Sequence, residues 1–467
     1  MAAPCPQLYV YELPPAYRDL PTTHRNGTGN PLTLGNQQNS AKPHDATALW
    51  NSEQYSVASL LYERAMSYRC RTRDPAKADL FFVPAFKQRL AEKQTCAEPG
   101  SAFGHKALSQ RLKVPLPNAT RPADWNGWWT TLEARGGADH IILNARSGMS
   151  WERYPYCELT MGAPALGAAT YLSMEQSPAA ALANGSKWVY PEGYCGQVCV
   201  DAYRPQLLSE SFYWSIPWTS YVHVDAEQRS PPPWASLHLR KRLVVAHFGL
   251  LHKPILPRPT LQLRERLIEQ CRAAGSPEKC VHSLPHLGRP EATALLYWES
   301  TFCMQPGGDT ISRKGILDAL LLGCIPVLFH KGQAHQWPWH WGSWVDTATV
   351  LLNQTEVRNN RLNVIDALAS IPEERVHALQ ESIRKNAHFL HYSAVDTSEL
   401  PSALRYWNVQ DDAFEVLLDG AWKVSRDAKL QQLGHHLQRT HGGSHVVNAR
   451  RLRLAMAAGT EEAVVDT

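Results

Sequence analysis

Two α/β halves, joined by a short linker and facing a shared cleft, are the fold this sequence predicts. Three observations carry the expectation. The chain has 467 residues, too many for one compact core. Strand-like and helix-like segments alternate along both halves, as βαβ units require. Between the halves lies QRSPPPW, residues 228–234, with prolines at 231–233, the composition of an inter-domain linker. The expected division is an N-terminal α/β domain over residues 1–235 and a C-terminal α/β domain over 236–425. Residues 426–467 are polar and rich in His and Arg, and are expected to form a mobile tail.

In the first half QLYVYEL (7–13) reads as a strand stopped by Pro14-Pro15. Residues 21–48 hold many Pro, Gly, Asn and Thr and read as a loop. Val57, Leu60, Leu61 and Met66 recur at helical spacing within a predicted helix from Glu53 to Arg69. ADLFFVPAF (78–86) is a buried strand. Residues 87–122 read as an insertion, Asp124 to Leu132 as helix and ADHIILNAR (138–146) as strand. SIPW (215–218) and SYVHV (220–224) have strand-like composition, whereas 162–200 is an Ala-, Gly-, Pro- and Tyr-rich stretch. In the second half KRLVVAHFGLL (241–251) opens a new α/β run. Helices are expected at Leu261–Ala273, Pro290–Trp298, Lys314–Leu322 and Pro372–His391, and strands at STFCMQP and CIPVLF (324–329). No internal repeat is evident.

Composition excludes some classes. With 44% hydrophobic and 19% charged residues the chain is not globally disordered. A net charge of +4, with 47 basic residues scattered among 43 acidic ones, leaves no nucleic-acid footprint. Ten cysteines allow disulfides, Cys271–Cys280 and a bridge from Cys195 or Cys199 to Cys157 among them. Cys195 and Cys199 could also make half a zinc site, but no second pair accompanies them, so no metal site is assigned. Four N-x-Ser/Thr sequons, at Asn26, Asn118, Asn184 and Asn353, lean towards a secretory compartment. Met1 to Tyr11 carries neither a signal nor an anchor, and no segment reaches about 18 apolar residues.

The chemistry concentrates in residues 300–329, STFCMQPGGDTISRKGILDALLLGCIPVLF. A strand leads into Pro306-Gly307-Gly308-Asp309, where glycines let backbone approach a ligand closely. Ser312, Arg313 and Lys314 then open a helix, whose free N–H groups and positive dipole end suit an anion such as a diphosphate. Asp318, one and a half turns on, offers a carboxylate to a ribose or sugar hydroxyl. Gly323 caps the helix before the next strand. A tight strand–helix turn with a solvated Arg–Lys pair explains the same residues without a ligand.

This segment resembles the signature of the exostosin glycosyltransferases, above all the plant-type branch with the xyloglucan galactosyltransferases. Phe302, Cys303, Met304, Pro306, Gly308, Asp309, Arg313, Lys314, Asp318, Gly323, Cys324, Ile325, Pro326 and Val327 match in order, with Met304 in place of the usual leucine. LYVYELPPAY (8–17), ADLFFVPAF, GGADHIILNARSGMSWE (136–152), SIPWTSYVH (215–223), HFGLLHKP (247–254) and FHKGQAHQWPWHW are similar to other family segments in the same order. The resemblance runs from residue 8 to about 420. It fits poorly at 87–122 and 162–200. Lys253 stands where the family usually has arginine.

The resemblance implies a GT-B fold of two Rossmann-like domains, the N-terminal one on the acceptor side. It implies inverting transfer of galactose, xylose, arabinose or glucuronic acid from a UDP-sugar to a glycan or glycoprotein, without a metal or other cofactor. Donor contacts would come from Lys253, Gly307, Gly308, Asp309, Ser312, Arg313, Lys314 and Asp318, and the base from Asp139, His140 or Glu152. Each candidate base is also readable as structural. Glu53 and Gln54 are acceptor candidates, though Ser52 is a good N-cap and Glu53 suits a helix start. The tryptophans at 337, 339, 341 and 344 either stack on sugars or sit in the core. Golgi-lumenal residence as a type II membrane protein, with an anchor outside this sequence, and a complex with another glycosyltransferase are further expectations. The competing reading is an inactive exostosin-like protein that binds glycans or scaffolds a partner. A dinucleotide enzyme is disfavoured, since no G-x-G-x-x-G follows a strand.

Overall fold

The computed structural model describes residues 5–11, 31–33, 48–50, 57–83, 131, 135–144, 169–174, 213–224, 231–235, 240–249, 258–284, 290–308, 311–393, 395–400, 402 and 411–441. In the first half the apolar runs become β1 (Leu8–Val10), β2 (Pro31–Thr33), β3 (Ala48–Trp50), helix α1 (Val57–Ser67), β4 (Arg71–Thr72), β5 (Leu80–Val83), β6 (His140–Asn144), β7 (Thr170–Ser173) and β8 (Tyr213–Ser215). β2 and β3 form a separate antiparallel ribbon. The other six strands form one parallel sheet in the order β4-β1-β5-β6-β7-β8. Every residue of β5 is buried, as expected of a parallel strand covered on both faces.

The second half follows the same logic with β9 (Arg242–His247), α2 (Arg258–Ala273), β10 (Cys280–Ser283), α3 (Pro290–Trp298), β11 (Ser300–Gln305), α4 (Lys314–Leu321) and β12 (Ile325–Leu328). Three short helices, α5 (Lys331–Ala334), α6 (Pro338–Trp341) and α7 (Val345–Ala348), lead to β13 (Val350–Leu351). Then come α8 (Gln354–Arg358), α9 (Val364–Ala369), α10 (Glu373–Asn386) and a long final helix, α11 (Ala413–His441). The second sheet, order β10-β9-β11-β12-β13, is also parallel throughout. Disulfides Cys5–Cys70, Cys271–Cys280 and Cys303–Cys324 pin neighbouring strands and helices, and no described cysteine is free.

Several elements differ from their sequence expectation for identifiable reasons. SIPW and SYVHV are not strands: β8 ends at Ser215, and residues 216–224 run on without regular pairing beyond one bridge. They bury Ile216, Trp218 and Val222 instead, with Trp218 bonded to Ser312 of the second half, so tertiary packing overrides their β composition. The proline-rich linker is not a free spacer at its end. Pro233–Ala235 is a buried 3-10 turn, and Trp234, 1% exposed, lies 5.1 Å from the His391 ring. The tail expected from residue 426 begins as the second half of α11, which is helical to His441. The insertion at 87–122 and most of the helix expected at 124–132 lie outside the described residues.

The start of α11 returns to the first unit. Asp412 caps α11, accepting from Phe414 N and Glu415 N at 3.1 Å each. Its other oxygen accepts from Ser393 N at 2.9 Å and from Arg64 of α1 at 3.2 Å. Arg64 also faces Asp396 at 3.7 Å. Arg69 pairs with Glu415, which bonds Thr397 Oγ1 at 2.8 Å. Burial raises the Asp412 carboxyl above its ordinary value against the pull of Arg64, and pushes Glu415 up to about 7 with help from Asp412. Nearby, Gly420 of α11 lies flat on Trp339. A Cβ there would fall 2.3 Å from the indole, which itself stacks on Trp214 of β8 at 4.6 Å.

Candidate functional site

The carboxyl ends of the two parallel sheets meet, which is where open α/β sheets bind ligands. Trp337 donates from its ring to Met174 O, just past β7, and its backbone N–H bonds Ser215 Oγ at the end of β8. It does so from a left-handed conformation, φ 50°, with its side chain fully buried. Trp341 and Trp344 are buried beside it. The tryptophans are therefore core and inter-unit packing, not an exposed sugar platform.

The loop after β11 is built by several distant side chains. Arg264 of α2, 4% exposed, donates to Gly307 O at 2.9 Å and to Gly249 O at 2.8 Å. It thereby ties the crest of β11 to the crest of β9. Arg313 occupies the N-cap of α4 and donates to Pro306 O at 2.9 Å. Ser312 Oγ accepts from Trp218 Nε1 at 2.6 Å, linking the segment after β8 to the start of α4. Glycine at 315 is favoured by packing: a Cβ would lie 2.7 Å from Gln305 Oε1, which would have to shift within its buried site, and 3.1 Å from the Tyr297 hydroxyl. Gly315→Ala is expected to cost about 1–3 kcal/mol by overpacking, read as a fall in the thermal unfolding midpoint.

Lys314 and Asp318 stand one turn apart on α4 and are engaged with each other. Lys314 Nζ lies 2.8 Å from both Asp318 oxygens and 3.1 Å from the centre of the Tyr221 ring. Asp318, 3% exposed, also accepts from Ser220 Oγ at 2.9 Å and Tyr221 N at 3.1 Å. Burial pulls the Lys314 ammonium below its ordinary value against the attraction of Asp318. The sequence suggested Asp318 for a ribose or sugar hydroxyl and Lys314 for a diphosphate. In the structure the pair instead clasps α4 to the segment after β8. At the helix's far end Gly323, φ +72°, forms the expected cap, and Arg240 donates to its carbonyl at 2.8 Å.

The acid–base candidates are differently placed. Asp139 and His140 are 1% and 0% exposed. Arg135 Nε donates to Asp139 at 2.7 Å, Asp139 lies 2.9 Å from His140 Nδ1, and His140 Nε2 lies 3.0 Å from the Tyr11 hydroxyl. His140 stacks on Phe81 at 4.7 Å. Burial raises the Tyr11 phenol above its ordinary value. This relay begins β6 at its amino end, about 13 Å along the strand from the carboxyl end where the two units meet. Asp139 and His140 are thus a closed structural network rather than a base facing an acceptor. Glu152, Lys253 and Asp309, together with Glu53 and Gln54, lie outside the described residues. Of the proposed donor residues the structure therefore brings together Gly307, Gly308, Ser312 and Arg313. Sequence reading gave no role to Arg264, Gln333, Trp218 and Ser220, although the last three lie in segments similar to the family.

Compared with known proteins, residues 4–345 match the Exostosin GT47 domain. The chain belongs to the exostosin GT47 family of glycosyltransferases. It is 24% identical over 369 residues to the xyloglucan galactosyltransferase MUR3 of Arabidopsis thaliana, covering 78% of this chain and 52% of that protein. It is 24% identical over 381 residues to the xyloglucan-specific galacturonosyltransferase 1 of the same plant, covering 80% and 49%. The chain thus spans about half the length of these two relatives. Among solved structures, Anabaena Alr3699/HepE in complex with UDP is similar over 72% of this chain and 92% of that chain, at 13% identity and a TM-score of 0.31. Among the described residues, no three His, Cys, Asp or Glu side chains are grouped to hold a metal, and no helix is long and apolar enough to cross a membrane.

Proposed function

We propose that this family member moves a sugar from a UDP-sugar to a glycan or glycoprotein hydroxyl, with inversion at the anomeric carbon. The observation that supports the donor assignment best is the loop after β11. It joins two glycines, Ser312 and the Arg313 guanidinium at the opening of α4, where the two sheets' carboxyl ends meet. An anion there would be met by backbone N–H groups, a helix start and a fixed cation. The acceptor oxygen would attack the anomeric carbon as the bond to the diphosphate breaks and its proton passes to a base. With Asp139 and His140 closed into the sheet, Glu152 is the remaining family-matched candidate for that base. The names of the relatives favour galactose or galacturonic acid as the sugar and a xyloglucan-like glycan as acceptor. Three disulfides and an exposed sequon at Asn353 support residence in an oxidising lumen. A membrane anchor outside this sequence and a partner transferase belong to the same proposal.

The test is UDP release by the purified protein and by Arg313→Ala, with a panel of UDP-sugars, mixed glycan acceptors and EDTA present. Turnover with one donor, reduced about 10²–10³-fold in the variant, is the expected result. No turnover with any donor, and no UDP binding by calorimetry, would leave the glycan-binding or scaffold reading.

A further inference from the structure

Gln333 has an environment that its place in the sequence does not explain. It is fully buried, and its side-chain amide makes four hydrogen bonds. Its Oε1 accepts from Phe329 N at 2.9 Å and His330 N at 3.1 Å, just past the carboxyl end of β12. Its Nε2 donates to Gln305 O at 2.8 Å and Ile311 O at 3.1 Å. Gln305 is the last residue of β11, and Ile311 immediately precedes Ser312 and Arg313. One planar amide thus joins the end of β12 to both described ends of the loop between β11 and α4.

Half of this set has an ordinary explanation. Gln333 is the third residue of α5, and its acceptance from the N-cap His330 backbone is one arm of a capping box. Capping uses only the acceptor oxygen. The two donated bonds reach back 28 and 22 residues and contribute nothing to α5. They fix the separation between the strand end, which leads into Gly307 and Gly308, and the helix start, which carries Ser312 and Arg313. Because these are the residues assigned above to the diphosphate, we infer that Gln333 is a positioning residue for the donor site. It acts through the Gln305 and Ile311 carbonyls and touches no substrate. The inference rests on the proposed UDP-sugar reading of that loop.

Gln333→Glu separates the two roles. Glutamate is the favoured partner in a capping box and keeps the acceptor arm. When ionised it has no donor for the Gln305 and Ile311 carbonyls, and when protonated it regains one. Its buried site raises its pKa, so the change falls within a workable pH range. Gln333→Met has similar bulk but neither arm at any pH.

The experiment titrates UDP into wild type and both variants by calorimetry at pH 5.5 and 7.5, after thermal unfolding confirms that each is folded. Kinetics then give KM for the donor and for the acceptor. The expected result at pH 7.5 is a loss of UDP affinity of about 10- to 100-fold in both variants, as small misplacements of binding groups produce. Donor KM rises in parallel and acceptor KM is unchanged. Affinity recovers in part at pH 5.5 in Gln333→Glu, and does not in Gln333→Met. UDP affinity within twofold of wild type in a folded Gln333→Glu or Gln333→Met overturns the inference alone and leaves Gln333 a helix cap. If Gln333→Glu does not fold, Gln333→Met decides by the same twofold criterion. Wild type that binds no UDP overturns the donor reading and this inference together.

Discussion

Asp412→Asn is expected to destabilise the protein by about 3–5 kcal/mol. The carboxylate is fully buried and serves three elements at once. One oxygen caps α11, and the other holds Ser393 N and the Arg64 guanidinium, 348 residues away in sequence. An asparagine can keep the cap with its carbonyl. Its amide then points hydrogens at the Ser393 N–H and at a fully buried arginine, so one donor faces two others. The desolvation already suffered by Arg64 is no longer offset, and that term, not the lost hydrogen bond, sets the size of the effect. Asp396 at 3.7 Å moderates the loss without removing it. The measurement is the unfolding midpoint of purified Asp412→Asn beside Arg64→Met/Asp412→Leu. The double variant should recover the part of the loss that comes from stranding Arg64, while the lost cap of α11 and the unmet Ser393 N–H still weigh against it. A single variant as stable as wild type would show that the α1–α11 junction does not depend on this pair.

What could be read from the sequence was local. CIPVLF and LFFV are short apolar runs between turn signals, and they are strands because nothing else buries them so well. Gly323 could be read as a helix cap, since only a residue free of a Cβ takes φ +72° easily. Cys271–Cys280 was within reach for its short separation. The contacts that join the two units were not legible, because each partner lies in the other half. Trp337 reads as a candidate sugar platform until Met174 O and Ser215 appear beside it. SYVHV reads as a strand until Asp318 takes its first hydrogen bonds. The Asp139–His140 pair is a different case. The rule that ligands bind at the carboxyl ends of parallel strands argues against a pair at the amino end of one, even though the family motif matches there. The same rule favours the loop after β11, which lies at the carboxyl end of its strand.

Asp318 gives the second large effect. Asp318→Ala is expected to cost about 3–5 kcal/mol, because it leaves the Lys314 ammonium buried without its carboxylate. It also removes the acceptor for Ser220 Oγ and Tyr221 N, and so releases the segment that carries Trp218 to Ser312. A carboxylate that only met a donor hydroxyl would behave otherwise: its loss would raise donor KM and leave the unfolding midpoint alone. The clasp predicts a fall in the midpoint of Asp318→Ala, a similar fall in Lys314→Met, and a loss in Lys314→Met/Asp318→Ala well short of their sum. The shortfall from additivity measures the pair directly. Lys314→Met alone strands a buried carboxylate. Asp318→Ala strands a cation whose pKa burial already lowers, so its cost should ease as pH rises. A cost that eases in this way, together with a shortfall from additivity, would identify α4 as clasped to the first unit by charge. A cost independent of pH, or additive losses, would return Asp318 to the donor site as a ligand.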